Sequence, residues 1–237
     1  MNLTEQIKKE LNLFVEPEKA AFLPKFFQSF PGGYGEGDHF IGVRVPYQRK
    51  TALLYFRQIP LEEVERLLQD PVHEYRLTAL FILCCKFEKA VKNSEKEVIV
   101  NIYLNNLAYV NNWDLVDASA EKILGAYLLH RDKALLFQLA DSDNLWCQRV
   151  AVLSTFHFIR HNRFSETLLL AERLLSHEHD LIHKAVGWML REIGKRDYSV
   201  EFSFLQKHYR QMPRTMLRYA IEQFDPALRK KFLQGLI

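Results

Sequence analysis

A small residue recurs inside apolar, helix-like segments at a nearly constant spacing along the chain. The segments read "YRLTALFIL", "LVDASAEKIL", "CQRVAVLSTF", "HKAVGWMLREI" and "MLRYAIEQF", and their small residues are Ala79, Ala118, Ala151, Gly187 and Ala220. The successive separations are 39, 33, 36 and 33 residues. A period in the mid-thirties is typical of an α-solenoid, in which each helix pair stacks on the next. The alternative is a chance recurrence in an Ala-rich helical bundle.

The hydrophobic pattern between these segments also predicts helices. In "PLEEVERLLQD" the apolar residues fall on one stripe with charges opposite, and "DKALLFQLA", "SETLLLAERLLS" and "DPALRKKFLQGL" show the same period. Prolines stand at or just before expected helix starts, at Pro17, Pro60, Pro71 and Pro226. Strand-like alternation is scarce, and the one long loop is predicted over residues 30–46. We therefore predict an all-α chain that forms an α-solenoid with a concave inner surface.

The positive charge is concentrated toward the end of the chain. The net charge is +3, but residues 181–237 contain 11 Lys and Arg against 5 Asp and Glu, which leaves 21 against 24 in residues 1–180. A basic C-terminal third beside a slightly acidic remainder predicts a surface that faces a polyanion such as nucleic acid. The alternative is a solubilising face with no specific partner.

Several other classes of protein are not supported. No apolar run reaches the roughly 18 residues of a membrane span, and "MNLTEQIKKELNLF" is amphipathic and lacks a signal-peptide hydrophobic stretch. The three cysteines, Cys84, Cys85 and Cys147, form no CxxC motif, so neither a disulfide framework nor a zinc knuckle is supported. We expect a cytoplasmic protein.

One repeat departs from the rule that the others follow. A basic residue precedes the small residue in four of the five segments, whereas "NNWDLVDASAEKIL" has Trp113, Asp114 and Asp117 instead. Asn112 is placed to cap a helix, and Asp114 then lies in its first turn, where a negative charge suits the helix dipole. Asp117 lies deeper, one turn from Trp113 on the same face. Such a departure is where we expect function, although Asp117 has an alternative as a salt-bridge partner of Arg149 or Lys184.

Two further features are candidates for parts of a site. Trp188, in "KAVGWMLRE", is either a core residue or an aromatic on the inner surface, where it and Trp113 would attract a cation together with Asp117. His179 and His183 are four residues apart, a spacing that suits a metal pair, but no third ligand follows at a fixed spacing. One of these histidines or Asp180 is then a helix cap. We predict no metal site.

Five stretches together resemble the DNA alkylation repair family of HEAT-like repeat DNA glycosylases, the AlkD family. They are "GVRVPYQRK" (42–50), "NNWDLVDASAEKILGAYL" (111–128), "SDNLWCQRVAVL" (142–153), "HKAVGWMLREIGK" (183–195) and "RTMLRYAIEQF" (214–224). The resemblance covers nearly the whole chain. It implies one domain over residues 1–237, an α-solenoid of HEAT-like repeats with duplex DNA in a concave groove.

The resemblance also implies an activity. Active members remove cationic N3- and N7-alkylated purines, such as 3-methyladenine and 7-methylguanine, from duplex DNA without flipping the base into a pocket, as a step of base excision repair. By position, Asp117 matches the catalytic acid and Trp113 and Trp188 match aromatics at the damaged nucleotide. Arg149 matches a basic residue of the same site, Arg49 matches a DNA-contacting arginine, and Lys184 is a further candidate for DNA binding. No metal or organic cofactor is implied, and we expect a monomer that works at the bacterial nucleoid.

The sequence departs from active members at two places. Asn112 stands where a second tryptophan is usual, and Phe26 or Phe27 replaces an aromatic hydroxyl in the N-terminal helices. Two other hypotheses therefore remain: a non-catalytic paralogue that binds unusual DNA structures, and a HEAT-like protein-interaction scaffold in which Trp113 and Trp188 are binding anchors.

Overall fold

The computed structural model describes residues 2–237, and its contacts cluster into two compact units, the first ending at Ile123 and the second spanning Leu124–Ile237. The helices of the first unit are α1 (Leu3–Asn12), α2 (Pro17–Phe26), α3 (Val45–Tyr55), α4 (Leu61–Leu68), α5 (His73–Lys89), α6 (Asn93–Asn105) and α7 (Trp113–Ser119), with a 3₁₀ turn over Leu107–Tyr109. A π-helical segment, Glu121–Gly125, follows α7. The helices of the second unit are α8 (Ala126–Leu128), α9 (Ala134–Ala140), α10 (Leu145–Arg160), α11 (Ser165–Arg173), α12 (Asp180–Gly194), α13 (Tyr198–His208), α14 (Arg214–Ala220) and α15 (Pro226–Gln234). A 3₁₀ turn spans Ile221–Gln223.

The centre of the first unit is α5, which is buried along most of its length. It packs against α3, α4 and α7, and α1 packs against α3 and α4. Leu80, Ile82 and Leu83 of α5 are fully buried. A helix surrounded in this way has to be apolar on nearly every side, which explains why "LTALFILCC" lacks the one-sided stripe of a surface helix.

In the second unit, α12 packs against α10, α13 and α14. Ala151, Gly187 and Ala220 lie on α10, α12 and α14, and all three are buried. A Cβ added at Gly187 would lie 2.4 Å from the backbone oxygen of Met216 on α14. Only glycine permits this approach between the two helices, so the recurring small residue has a packing role here.

The all-α prediction is confirmed, because residues 2–237 contain helices and no strand, with a single isolated bridge between His39 and Val72. The helix starts at proline are also confirmed: Pro17 and Pro226 are the first residues of α2 and α15, and Pro60 is the N-cap of α4. The predicted loop over 30–46 ends earlier than expected, since α3 begins at Val45. That residues 1–237 form one domain stays a prediction. Within residues 2–237, no helix combines the length and the apolar character that a membrane crossing requires.

Glu201 of α13 is a buried acid in the second unit, with 2% of its surface exposed. Burial raises its pKa to about 8, although the positive charge of Arg191 acts in the opposite direction. Its Oε1 atom has no hydrogen-bond partner among residues 2–237. The carboxyl group is therefore neutral at pH 7 in the folded protein and ionised in the unfolded chain.

The native chain should become less stable at high pH because the buried Glu201 carboxyl group ionises. We expect Glu201→Gln to prevent this decrease in stability. The pKa of Glu201 in the folded protein lies above the unfolded value of 4.5. The stabilising contribution of its protonated carboxyl group is therefore fully present below pH 4.5 and is lost as the pH rises through 8. Urea denaturation should give similar midpoints for both chains at pH 5. At pH 9 the variant should be more stable by roughly 2–4 kcal/mol. An equal difference at both pH values would contradict this account.

Candidate active site

The short helix α7 carries the residues that depart from the repeat. Asn112 is fully buried and caps the helix, its Oδ1 accepting a hydrogen bond from the backbone N–H of Trp113 at 2.9 Å. Trp113 and Asp117 lie one turn apart on α7, and both are half-buried. The predicted cap and the placement of Asp114 in the first turn are therefore confirmed.

The Gly-rich loop before α3 reaches the start of α5. His39 forms the isolated bridge with Val72, and the backbone N–H of His73 donates to the oxygen of His39 at 2.8 Å. Gly35 permits a close approach on the other side, because a Cβ there would lie 2.4 Å from the oxygen of Phe27 and 2.7 Å from Nδ2 of Asn112. These contacts hold Asp38 in the interior of the first unit, where its side chain is 2% exposed.

Asp38 belongs to a buried charged cluster that anchors α7. The ring of His73 lies between two carboxylates, with Nδ1 at 2.8 Å from Oδ2 of Asp38 and Nε2 at 2.9 Å from Oδ2 of Asp114. Arg76 donates from Nη2 to Oδ1 of Asp38 at 2.5 Å. Asn111 joins the cluster by accepting from Arg76 and donating to Asp38. Two positive groups thus face two carboxylates, which offsets the cost of burying each charge.

The pKa values in this cluster favour its fully charged state. Burial alone would lower the pKa of His73, but the charge of Asp114 and the hydrogen bonds to both carboxylates raise it to about 9. Burial alone would raise the pKa of Asp38, but the hydrogen bond from His73 and the positive charge of Arg76 hold it below its usual value. At neutral pH His73 is therefore an imidazolium that donates through both ring nitrogens.

Aromatic rings surround the Trp113 indole within the first unit. The ring of Phe27 lies 5.3 Å from it, and the ring of Phe26 meets it edge-on at 5.8 Å. Phe40 stacks on Phe27 at 5.2 Å with an interplanar angle of 7°, and both pack against the His73 ring. Phe27 is buried, whereas Phe26 is 48% exposed. Both phenylalanines at the place of the missing aromatic hydroxyl thus contact Trp113.

Arg49, the other candidate of the first unit, lies on α3. It is exposed, and its guanidinium carbon is 4.1 Å from the centroid of the Phe81 ring. This cation–π contact holds the guanidinium against a ring of α5, although the residue as a whole is exposed.

The remaining candidates lie in the second unit. Arg149 of α10 is 4% exposed and donates from Nη1 to the backbone oxygen of Leu181 at 2.5 Å. Lys184 of α12 forms an ion pair with Asp180, with Nζ 2.6 Å from Oδ2. Trp188 is half-buried, and its indole N–H donates to Oε1 of Glu192 at 3.1 Å. The structure thus places Trp188 and Lys184 on one helix, and their role at a site shared with Asp117 stays a prediction.

The histidine pair at the start of α12 has a structural explanation. His179 is the N-cap of α12, since its Nδ1 accepts from the backbone N–H of Leu181 at 3.1 Å. His183 hydrogen-bonds through Nε2 to the backbone oxygen of His177. Within residues 2–237, no group of three or more His, Cys, Asp and Glu side chains is placed to hold a metal ion.

Sequence reasoning missed the buried charged cluster. Asp114 was accounted for by the helix dipole alone, but its carboxylate also pairs with His73. Asp38 lies in the long loop predicted over residues 30–46, and Arg76 is a basic residue of the repeat that turns inward. The only local signal was an acid amid the glycines of "GEGDHF".

The helix pairing and the acid–indole turn on α7 define a helical-repeat protein with a candidate site for a cationic group. An electron-rich indole and a carboxylate one turn apart both stabilise positive charge. The family model described as "DNA alkylation repair enzyme" matches residues 7–224, which is most of the chain. The chain belongs to this DNA alkylation repair family.

Solved structures agree with this fold. A predicted DNA alkylation repair enzyme from Enterococcus faecalis superposes with a TM-score of 0.70 at 18% identity, covering 90% of this chain and 97% of that one. AlkD2 from Streptococcus mutans gives a TM-score of 0.53 at 18% identity, covering 88% and 99%. The protein smu.31 from Streptococcus mutans UA159 gives 0.52 at 16% identity, covering 93% and 98%. No curated protein matches the chain.

Proposed function

We propose that the protein is a DNA glycosylase that hydrolyses the N-glycosidic bond of cationic N3- and N7-alkylated purines in duplex DNA. The observation that carries the proposal is the turn on α7, where Asp117 and Trp113 stand one above the other in a chain of the DNA alkylation repair family. Retention of an acid and an indole at these positions is what the proposed chemistry requires.

The chemistry follows from the charge of the lesion. A purine alkylated at N3 or N7 is already cationic, so it is a good leaving group, and its departure develops positive charge on the deoxyribose. A carboxylate held near that sugar stabilises the growing charge and orients the attacking water. We assign this role to Asp117. The indoles of Trp113 and Trp188 add cation–π stabilisation, and neither a metal nor an organic cofactor is needed.

DNA is held, in this proposal, by contacts that do not read sequence. Arg49, Arg149 and Lys184 supply positive charge, and so does the basic region from residue 181 onward. Selection of the lesion comes from the lability of its glycosidic bond, so the damaged base does not have to be flipped into a pocket. The protein works as a monomer in base excision repair.

The first test is release of 3-methyladenine and 7-methylguanine from methylated duplex DNA by the native chain. We expect both bases to appear in the soluble fraction, and the affinity for duplex DNA to fall steeply as salt rises because bound phosphates release counterions. A chain that binds DNA but releases neither base is instead a DNA-structure binder. If the chain does not bind DNA even at low salt, neither the glycosylase nor the DNA-structure binder is supported. The protein-interaction scaffold is then favoured.

A further inference from the structure

A cavity of about 450 Å³ opens beside Trp113 within the first unit. Its size falls in the range of small-molecule sites. Its walls are mainly apolar and aromatic, with contributions from Leu23, Phe26, Phe27, Phe40, Leu77 and Trp113. The proposed excision of a damaged base uses the Trp113 indole but no other residue of this lining, so the rest of the cavity needs a separate explanation.

One polar atom of a residue that lines the cavity has no partner among residues 2–237. Gln48 of α3 is 2% exposed, and its Nε2 donates to the backbone oxygen of Val43 at 2.7 Å. This bond fixes the orientation of the amide, because only the nitrogen can donate to a carbonyl. The other amide atom, Oε1, is then an acceptor, and it is buried with no hydrogen-bond partner among residues 2–237. Leaving such an acceptor unsatisfied costs about 1–3 kcal/mol, which a ligand N–H would recover.

His73 and Glu74, which are buried polar residues of the lining, already have partners. Both ring nitrogens of His73 are bonded to Asp38 and Asp114, so His73 offers the cavity only its ring. The carboxylate of Glu74 accepts from the backbone N–H groups of Ile41 and Gly42. The lining therefore combines aromatic surface with the unsatisfied Oε1 of Gln48 and with the carboxylate of Asp114, which already accepts from His73. A planar aromatic ligand with an N–H donor on its edge matches this combination.

The lining of the cavity also includes two basic residues. They are Lys19 of α2 and Arg44, just before α3. The side chain of Arg44 is 54% exposed and paired with Glu16, so its guanidinium stands at the solvent boundary. Cations at the rim of an aromatic cavity favour a ligand that carries phosphate next to its ring system.

We propose that this cavity, lined by Phe26, Phe27, Phe40, Trp113 and Gln48, binds an undamaged nucleobase, which stacks on the aromatic wall and donates an N–H to Oε1 of Gln48. The base comes either from an unpaired nucleotide of bound DNA or from solution as the free base. The inference rests on the proposed function only where the base belongs to DNA. The proposal adds recognition of an unpaired base to the site. The proposed excision step does not itself require a base to enter a pocket.

The test uses 2-aminopurine, a fluorescent base with an exocyclic amine. Three probes are titrated with the full chain: a duplex with 2-aminopurine as a single-nucleotide bulge, the same duplex with it paired to thymine, and free 2-aminopurine. We expect the bulged duplex to bind roughly tenfold tighter than the paired one, with quenching of the base as it stacks. Saturable quenching of free 2-aminopurine would show that the cavity also takes a base from solution.

Two variants and two matched controls decide where the base binds. Phe26→Ala removes an exposed wall ring, and Gln48→Leu removes the acceptor; both should abolish most of the preference for the bulge. Phe22→Ala, one turn away on α2 and outside the cavity, and Gln58→Leu, at an exposed position, should preserve it. Phe26 is 48% exposed, so its removal tests binding in a folded chain.

Two results would overturn the proposal. One is a preference for the bulge that both variants retain within twofold; the other is a native chain that neither prefers the bulge nor quenches free 2-aminopurine. Failure of the proposed glycosylase function gives a different result, namely no base release from methylated DNA. Quenching of free 2-aminopurine that Phe26→Ala removes would still support the cavity in that case.

Discussion

Asp117→Asn should abolish most release of 3-methyladenine and 7-methylguanine while leaving the affinity for duplex DNA within about twofold of the native value. The amide has nearly the same shape but no charge, so it loses the electrostatic stabilisation of the oxocarbenium-like transition state. Loss of one preorganised stabilising group typically lowers the rate roughly 10²–10³-fold. The measurement is single-turnover release from methylated duplex DNA, because it reports the chemical step without product release.

The control is Asp143→Asn, which removes the same charge at an exposed position outside α7. Its rate should equal that of the native chain, and anisotropy titrations should give equal DNA affinities for all three proteins. If Asp117→Asn released bases at the native rate, the role assigned to Asp117 would be wrong even though the chain is a glycosylase. If instead its DNA affinity fell as much as its rate, Asp117 would act in binding and not in the chemical step.

Local sequence signals predicted the α7 turn well. Asn112 precedes an apolar, helix-like run, and a side-chain cap at that place depends only on neighbouring residues. Trp113 and Asp117 share a face because of the helical period alone. The helix starts at Pro17 and Pro226 were predictable for the same reason, since a missing N–H is harmless in the first turn.

The buried cluster was not predictable from the sequence, because its partners are far apart in the chain. His73 lies 35 residues from Asp38 and 41 residues from Asp114. No spacing rule links such residues; only the fold of the Gly-rich loop onto α5 brings them together. Arg76 illustrates the same limit, since its position in the repeat predicts a basic residue but not whether it faces solvent or the interior. The cavity beside Trp113 depends on the same loop, which supplies Phe40.

The buried charged cluster should contribute strongly to the stability of the first unit. His73→Ala should destabilise the first unit by roughly 3–5 kcal/mol at pH 6, because it leaves Asp38 and Asp114 without the cation that lies between them. Asp38 retains Arg76, whereas the Asp114 carboxylate at the start of α7 loses its anchor. The control His130→Ala removes an exposed imidazole and should change the urea midpoint little.

The pH dependence separates loss of the charge from loss of packing. The folded pKa of His73 is about 9, above the usual 6.5, so its contribution is fully present below pH 6.5 and is lost as the pH rises through 9. This amounts to roughly 3 kcal/mol. The difference in unfolding free energy between the native chain and His73→Ala should therefore shrink by about that amount between pH 6 and pH 10. The loss of stability that ionisation of Glu201 causes at high pH has the same sign, but it is present in both proteins and cancels in the difference. A difference that stays constant with pH would mean that His73 stabilises the fold through its ring contacts with Phe27 and Phe40, and that the cluster does not depend on its charge.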